Sequence, residues 1–204
     1  MRSTELGEIP KDWRVGKLAD VIEVNPQESI KKGNIVKYID MKALSTTSME
    51  IVSYITREFT SGSKFRNKDV LMARITPCLE NGKTAFVNIL DDDEVAFGST
   101  EFIVLRAKSG CCSHYVYCLT RSPNFRDYAV KNMTGTSGRQ RVPNDMIANY
   151  KLAISQVQLM KQYQNICNSL FEKVKANQNQ IQALTKTRDE LLPKLMSGQL
   201  RVKE

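Results

Sequence analysis

Few side chains in this 204-residue sequence could carry chemistry. His114 is its one histidine, which excludes imidazole relays and metal sites that need two or more histidines. The five cysteines, Cys78, Cys111, Cys112, Cys118 and Cys167, are odd in number and lack paired spacing, so no disulfide framework is implied. Cys111, Cys112, His114 and Cys118 suit a tetrahedral zinc site poorly, because adjacent cysteines rarely ligate one ion; they read as packing residues. Gly82-Lys83-Thr84 imitates the end of a phosphate-binding loop, but Pro77 stands where that loop needs its first glycine. The acidic run at 91–94 reads as a solvated turn. No nucleophile–base pair and no carboxylate dyad stands out, so no catalytic residue, no metal and no cofactor is expected in this chain.

What does suggest chemistry is recognition. Three polar stretches mix cations with amides, hydroxyls and glycine: residues 74–84, 98–101 and 133–143. Arginine can bridge guanine, Gln or Asn can bridge adenine, and hydroxyls suit phosphate oxygens. The candidate double-stranded DNA contacts are therefore Arg74, Thr76, Asn81, Lys83, Ser99, Thr100, Thr136, Ser137, Arg139, Gln140 and Arg141. In the third stretch Arg139 and Arg141 flank Gln140, and two glycines permit close backbone approach. Each stretch alone also reads as a solvated connection; the three together point to a nucleic-acid face.

Such loops need a frame, and the composition divides the chain to supply one. Residues 151–204 carry 9 basic and 4 acidic side chains, against 21 and 18 before them. All glycines but Gly198 and all prolines but Pro193 precede residue 151. The reading is α+β: a mixed α/β domain at 1–152 followed by a long coiled-coil helix within 153–204. Strands are expected at 20–24, 36–39, 70–75, 84–89, 102–106 and 150–154, from β-branched and aromatic runs between turns. Helical spacing covers 114–132, with Pro123 starting a second helix there.

Beyond residue 156 an apolar stripe recurs every three or four residues: Met160, Tyr163, Cys167, Leu170, Val174, then Asn177, Ile181, Leu184, and after Arg188, Leu191 and Leu195. A seam this narrow on a long helix calls for a partner helix, and a lone polar Asn177 commonly sets register. The other possibility is that the stripe folds back on its own domain. Pro193 is expected to break or kink the helix, and Ser197-Gly198 to end it.

The net charge of +8 fits a phosphate-rich partner without proving one. No apolar run has the roughly 18–20 residues of a membrane span, and the start lacks a signal-peptide core, so a cytoplasmic protein is expected.

Several segments resemble those of specificity subunits of type I restriction–modification systems. They are Gly7-Glu8-Ile9-Pro10-Lys11-Asp12-Trp13-Arg14-Val15-Gly16-Lys17-Leu18, Asp69-Val70-Leu71-Met72-Ala73-Arg74-Ile75-Thr76-Pro77, Gly98-Ser99-Thr100-Glu101-Phe102 and residues 136–143. The likeness is strongest at Arg188-Asp189-Glu190-Leu191-Leu192-Pro193-Lys194-Leu195-Met196-Ser197-Gly198-Gln199-Leu200.

The resemblance implies a target recognition domain reading part of a DNA site, followed by a helical spacer. Full-size members carry two such units; this sequence has one and resembles a half-size form that would homodimerise through its C-terminal helix. It further implies a bacterial or archaeal source. The implied partners are DNA adenine methyltransferase subunits and a restriction and translocation subunit, which use S-adenosylmethionine, ATP and magnesium. The alternative is a coiled-coil adaptor between proteins with no DNA role.

Overall fold

The computed structural model describes residues 1–200. The chain opens with a small antiparallel hairpin, β1 (Arg2–Thr4) against β2 (Gly7–Ile9). Next come β3 (Arg14–Lys17), a single helical turn α1 (Leu18–Val21) and β4 (Ile22–Val24). Residues 20–24 are thus a strand only in their second half. The Asp20 carboxylate accepts from the Lys17 amide at 3.2 Å and from Arg14 at 3.0 Å, closing a cap that favours the helical turn.

Two four-stranded sheets follow. The first has the order β6-β5-β10-β7, built from β5 (Ile35–Ile39), β6 (Ile55–Glu58), β7 (Ser63–Arg66) and β10 (Val95–Gly98). Only the β5–β10 pair within it is parallel. The second is wholly antiparallel in the order β4-β11-β8-β9, with β8 (Val70–Ala73), β9 (Thr84–Phe86) and β11 (Phe102–Ala107). A separate pair joins β12 (Lys151–Ile154) to β3.

The core is made where the two large sheets supply apolar side chains to one cluster. Ile39, Phe65 and Ala96 come from the first sheet, and Leu71, Ala85, Phe102 and Val104 from the second. Strands β8 and β11 are buried along almost their whole length, which is why they read as continuous apolar runs rather than alternating ones. Gly62 and Gly98 mark the closest backbone approach. A Cβ on Gly62 would lie 2.1 Å from the Gly98 carbonyl, and one on Gly98 would lie 2.7 Å from that of Ile39.

Helices α2 (Ser113–Arg121) and α3 (Pro123–Lys131) are the expected pair, with Pro123 in the first turn and Ser122 capping through Phe125 N at 3.4 Å. His114 stacks on Phe86 with ring centroids 5.1 Å apart, and burial lowers its pKa from the usual imidazole value. Burial also pushes the Cys111 thiol up to about 11. After a short α4 (Asn144–Ala148), strand β12 leads to α5 (Val157–Met196).

An ionic cluster that no local pattern announces lies between the two sheets. Arg106 donates to both oxygens of Asp69 at 2.7 Å and to Glu28 at 2.7 Å, while Arg66 donates to Glu28 at 2.6 Å. Asp69 and Glu28 side chains are 1% and 6% exposed. Burial raises Glu28, but the bonds from Arg66 and Arg106 outweigh it and hold the carboxyl below its usual range. For Asp69 burial is the larger effect and pushes the carboxyl upward against the bonds from Arg106.

Contacts divide the chain into two compact units, one ending at Gln162 and the other beginning at Tyr163. Helix α5 has 40 residues, about 60 Å at 1.5 Å per residue. It runs through Pro193 rather than breaking there. The proline removes one backbone donor, that toward the Asp189 carbonyl, and lies within the last turn, so little helix follows it. Gly198 ends the helix in the left-handed conformation (φ +71), its amide returning to the Leu195 carbonyl at 3.1 Å.

No described helix is long and apolar enough to cross a membrane.

Candidate nucleic-acid interface

The three polar stretches, separate in sequence, are tied together at one point. Stretch 74–84 leaves β8 and returns into β9 as a tight turn, its ends held by the Ala73 amide on the Lys83 carbonyl at 3.0 Å. Gly82 takes φ +72 there, and the Arg121 guanidinium braces its carbonyl at 2.9 Å. Stretch 98–101 is the turn between β10 and β11, in which the Ser99 hydroxyl accepts from the Glu101 amide at 3.1 Å. Stretch 133–143 forms a miniature hairpin: Thr134 and Arg141 exchange both backbone hydrogen bonds, at 3.0 and 2.8 Å. Its tip, residues 135–140, turns through Gly135 (φ +119) and Gly138 (φ +76).

Besides the side-chain bond from Arg74 Nη2 to the Val142 carbonyl at 3.1 Å, four contacts join the three. The Arg74 amide donates to the Glu101 carbonyl, the Thr76 amide to the Gln140 carbonyl and the Val142 amide to the Arg74 carbonyl, each at 3.0 Å. The fourth is an ion pair in which Arg141 grips Glu101 side-on, Nε to Oε2 at 2.8 Å and Nη2 to Oε1 at 2.6 Å. Arg141 Nη1 adds a bond to the Arg139 carbonyl at 3.3 Å. The bonds from Arg141 hold the Glu101 carboxyl below its usual range and raise Arg141 in return.

The eleven candidate contacts therefore fall into two groups. Five have side chains engaged within the fold or turned inward. Arg74 Nη2 donates to the Val142 carbonyl at 3.1 Å, and Lys83 Nζ to the Met41 carbonyl at 3.0 Å. Thr76 is half-buried, with its hydroxyl shielded, and Arg141 is held by Glu101. The Ser99 hydroxyl serves its own turn. Asn81, Thr100, Thr136, Ser137 and Arg139 are exposed, and Gln140 is half-buried. Arg139 makes no side-chain hydrogen bond or ion pair among the described residues, so its charge faces solvent uncommitted. The hairpin tip brings Thr136, Ser137, Arg139 and Gln140 together; Asn81 stands apart, at the far end of its own turn.

Glu101 is the residue that the sequence pattern did not single out. Its partner lies 40 positions away, so nothing in its neighbourhood announces the pairing.

On α5 the predicted stripe splits as well. Met160 and Tyr163 are half-buried and Cys167 is buried. Leu170, Val174, Asn177, Ile181, Leu184, Leu191 and Leu195 are exposed, with Leu184 at 68% and Ile181 at 61%.

Comparison with known proteins places this geometry in context. Residues 10–186 match the family described as type I restriction modification DNA specificity domain. The specificity subunit of the type I restriction enzyme EcoAI of Escherichia coli is 31% identical over 148 residues, 70% of this chain and 25% of that protein. The MjaIX specificity subunit of Methanocaldococcus jannaschii is 29% identical over 211 residues, 97% of this chain and 46% of that protein. Among solved structures, the HsdS subunit from Thermoanaerobacter tengcongensis superposes with a TM-score of 0.65 at 23% identity, over 94% of this chain and 50% of that one. The chain thus spans a quarter to a half of the length of the proteins it matches.

Proposed function

This chain belongs to the type I restriction modification DNA specificity family, and from that premise we propose that it reads one half of a bipartite DNA site for a modification and restriction complex. The observation that carries the reading is the three-loop junction, which presents an exposed Thr136, Ser137 and Arg139 beside Gln140 on one braced hairpin. Bracing matters because a recognition group held in place loses less freedom on binding. Arg139 and Gln140 are the base-reading candidates, with Thr136, Ser137, Thr100 and Ser99 suited to phosphate oxygens. Asn81 is an outlying contact.

The chain does no chemistry of its own in this account. Adenine methylation with S-adenosylmethionine belongs to methyltransferase subunits, and ATP- and magnesium-dependent translocation and cleavage to a restriction subunit. Residues 1–152 form the recognition domain, and the region 153–204, helical over Val157–Met196, supplies dimerisation, spacing and partner docking; its residues 201–204 lie outside the described residues. The exposed stripe from Leu170 to Leu195 supports a homodimer, because burying each such side chain yields about 1.5–3 kcal/mol. A symmetric pair reads two inverted half-sites at a spacing set by the helices.

The test is a genome-wide map of methylated adenine in cells carrying the methyltransferase subunit, with and without this chain. A new bipartite motif that appears only with the chain is the expected result. An unchanged map favours the adaptor reading instead.

A further inference from the structure

The ion pair at the loop junction has a consequence for how the hairpin meets DNA, and it rests on the DNA reading above. Arg141 belongs to the same hairpin as Arg139, two residues on, and by residue type both would bind phosphate. Their surroundings differ. Two Arg141 nitrogens are spent on the Glu101 carboxylate and the third on the Arg139 carbonyl, whereas the Arg139 side chain is exposed and uncommitted. Glu101 is itself fixed from two directions, by the Ser99 hydroxyl on its amide and the Arg74 amide on its carbonyl. The pair is therefore built into the junction rather than being a chance surface contact.

We propose that Glu101 is a positioning and charge-masking residue: it clamps the hairpin through Arg141 and neutralises that arginine, so that Arg139 is the hairpin's one free cation toward DNA. Sequence-independent attraction to phosphate grows with each uncommitted cation, whereas base reading does not. Masking one of two adjacent arginines thus lowers affinity for random DNA while keeping the base-reading groups in register.

The experiment measures the salt dependence of binding to a mixed-sequence 30-base-pair duplex by fluorescence anisotropy. The proteins are the full chain, Glu101→Gln, and the double variant Glu101→Gln with Arg141→Gln. Glu101→Gln keeps the side chain's shape and frees the Arg141 charge. It should steepen the log–log salt slope by about 0.9, a three- to fourfold larger loss of affinity between 50 and 200 mM salt. The double variant replaces a neutral pair by a neutral pair and should keep the wild-type slope. A purely structural role for Glu101 would lower thermal stability without steepening the slope. An unchanged slope in Glu101→Gln, or a slope shallower by about 0.9 in the double variant, overturns the proposal; the second result would mean that Arg141 itself binds phosphate. A melting curve of each variant establishes that it is folded before its slope is read. Absence of salt-dependent binding by the wild-type chain defeats the DNA reading itself, and this inference with it.

Discussion

At the level of single residues, identity alone overstates what is available to a ligand. Arg74, Arg139 and Arg141 look equivalent in sequence, yet of the three only Arg139 makes no side-chain hydrogen bond or ion pair among the described residues. Arg139→Ala should therefore cost about 1–3 kcal/mol on the preferred site and relax base preference at the position it reads, checked by titrating preferred and scrambled duplexes side by side. The Glu101–Arg141 clamp makes its own pH prediction. Because Arg141 holds the folded-state pKa of Glu101 below its unfolded value, the clamp's stabilisation is full above the usual carboxylate range. It is lost as pH falls through the depressed folded value. Hydrogen exchange at the Arg141 and Thr134 amides should thus be flat with pH, after correction for intrinsic rates, until the usual carboxylate range is passed, and then accelerate. Acceleration between pH 6 and 8 would implicate a different group.

For the elements, the sequence was most legible where apolar runs were continuous. Strands β8 and β11 and the α2–α3 pair lie near their expected positions because burial on both faces, or a proline in a first turn, leaves a local mark. β1, β2, β3, β6, β7 and β10 were not anticipated. They are three or four residues long, β6 is exposed throughout, and pairing is what makes them strands: β1 with β2 in a short hairpin, and β3, β6, β7 and β10 with partners farther away in the chain. The 84–89 run ends as a strand at Phe86, since the Val87 amide turns to the Asp69 carbonyl. The ionic cluster was invisible for the same reason, its members being up to 78 positions apart. Truncating Arg106 to Ala leaves the nearly buried Asp69 without its guanidinium partner and Glu28 with Arg66 alone, and should cost about 3–5 kcal/mol, read by urea denaturation. Gly62→Ala should be similarly damaging for a steric reason, as its new methyl meets the Gly98 carbonyl at 2.1 Å with no flexible neighbour to yield. A melting temperature unchanged by Gly62→Ala would contradict the close approach of Gly62 to β10 within the first sheet.

For the molecule as a whole, the legible feature was the helix: its length, its stripe and its ending at Ser197-Gly198 all follow from spacing. What a partner does with the stripe is the part beyond one chain. Charged residues in a buried seam are costly, so Leu170→Asp with Ile181→Asp should convert a dimer to a monomer in analytical ultracentrifugation. A dimer that survives this change would place the interface elsewhere.

The claim on which the account depends is that the braced hairpin chooses the DNA sequence. The most direct measurement is the methylated-adenine motif in cells that express the methyltransferase subunit with either the wild-type chain or Gln140→Ala. The account predicts that base preference relaxes at one position in each half of the motif while the spacer stays constant. The same motif at the same occupancy in both strains would contradict it.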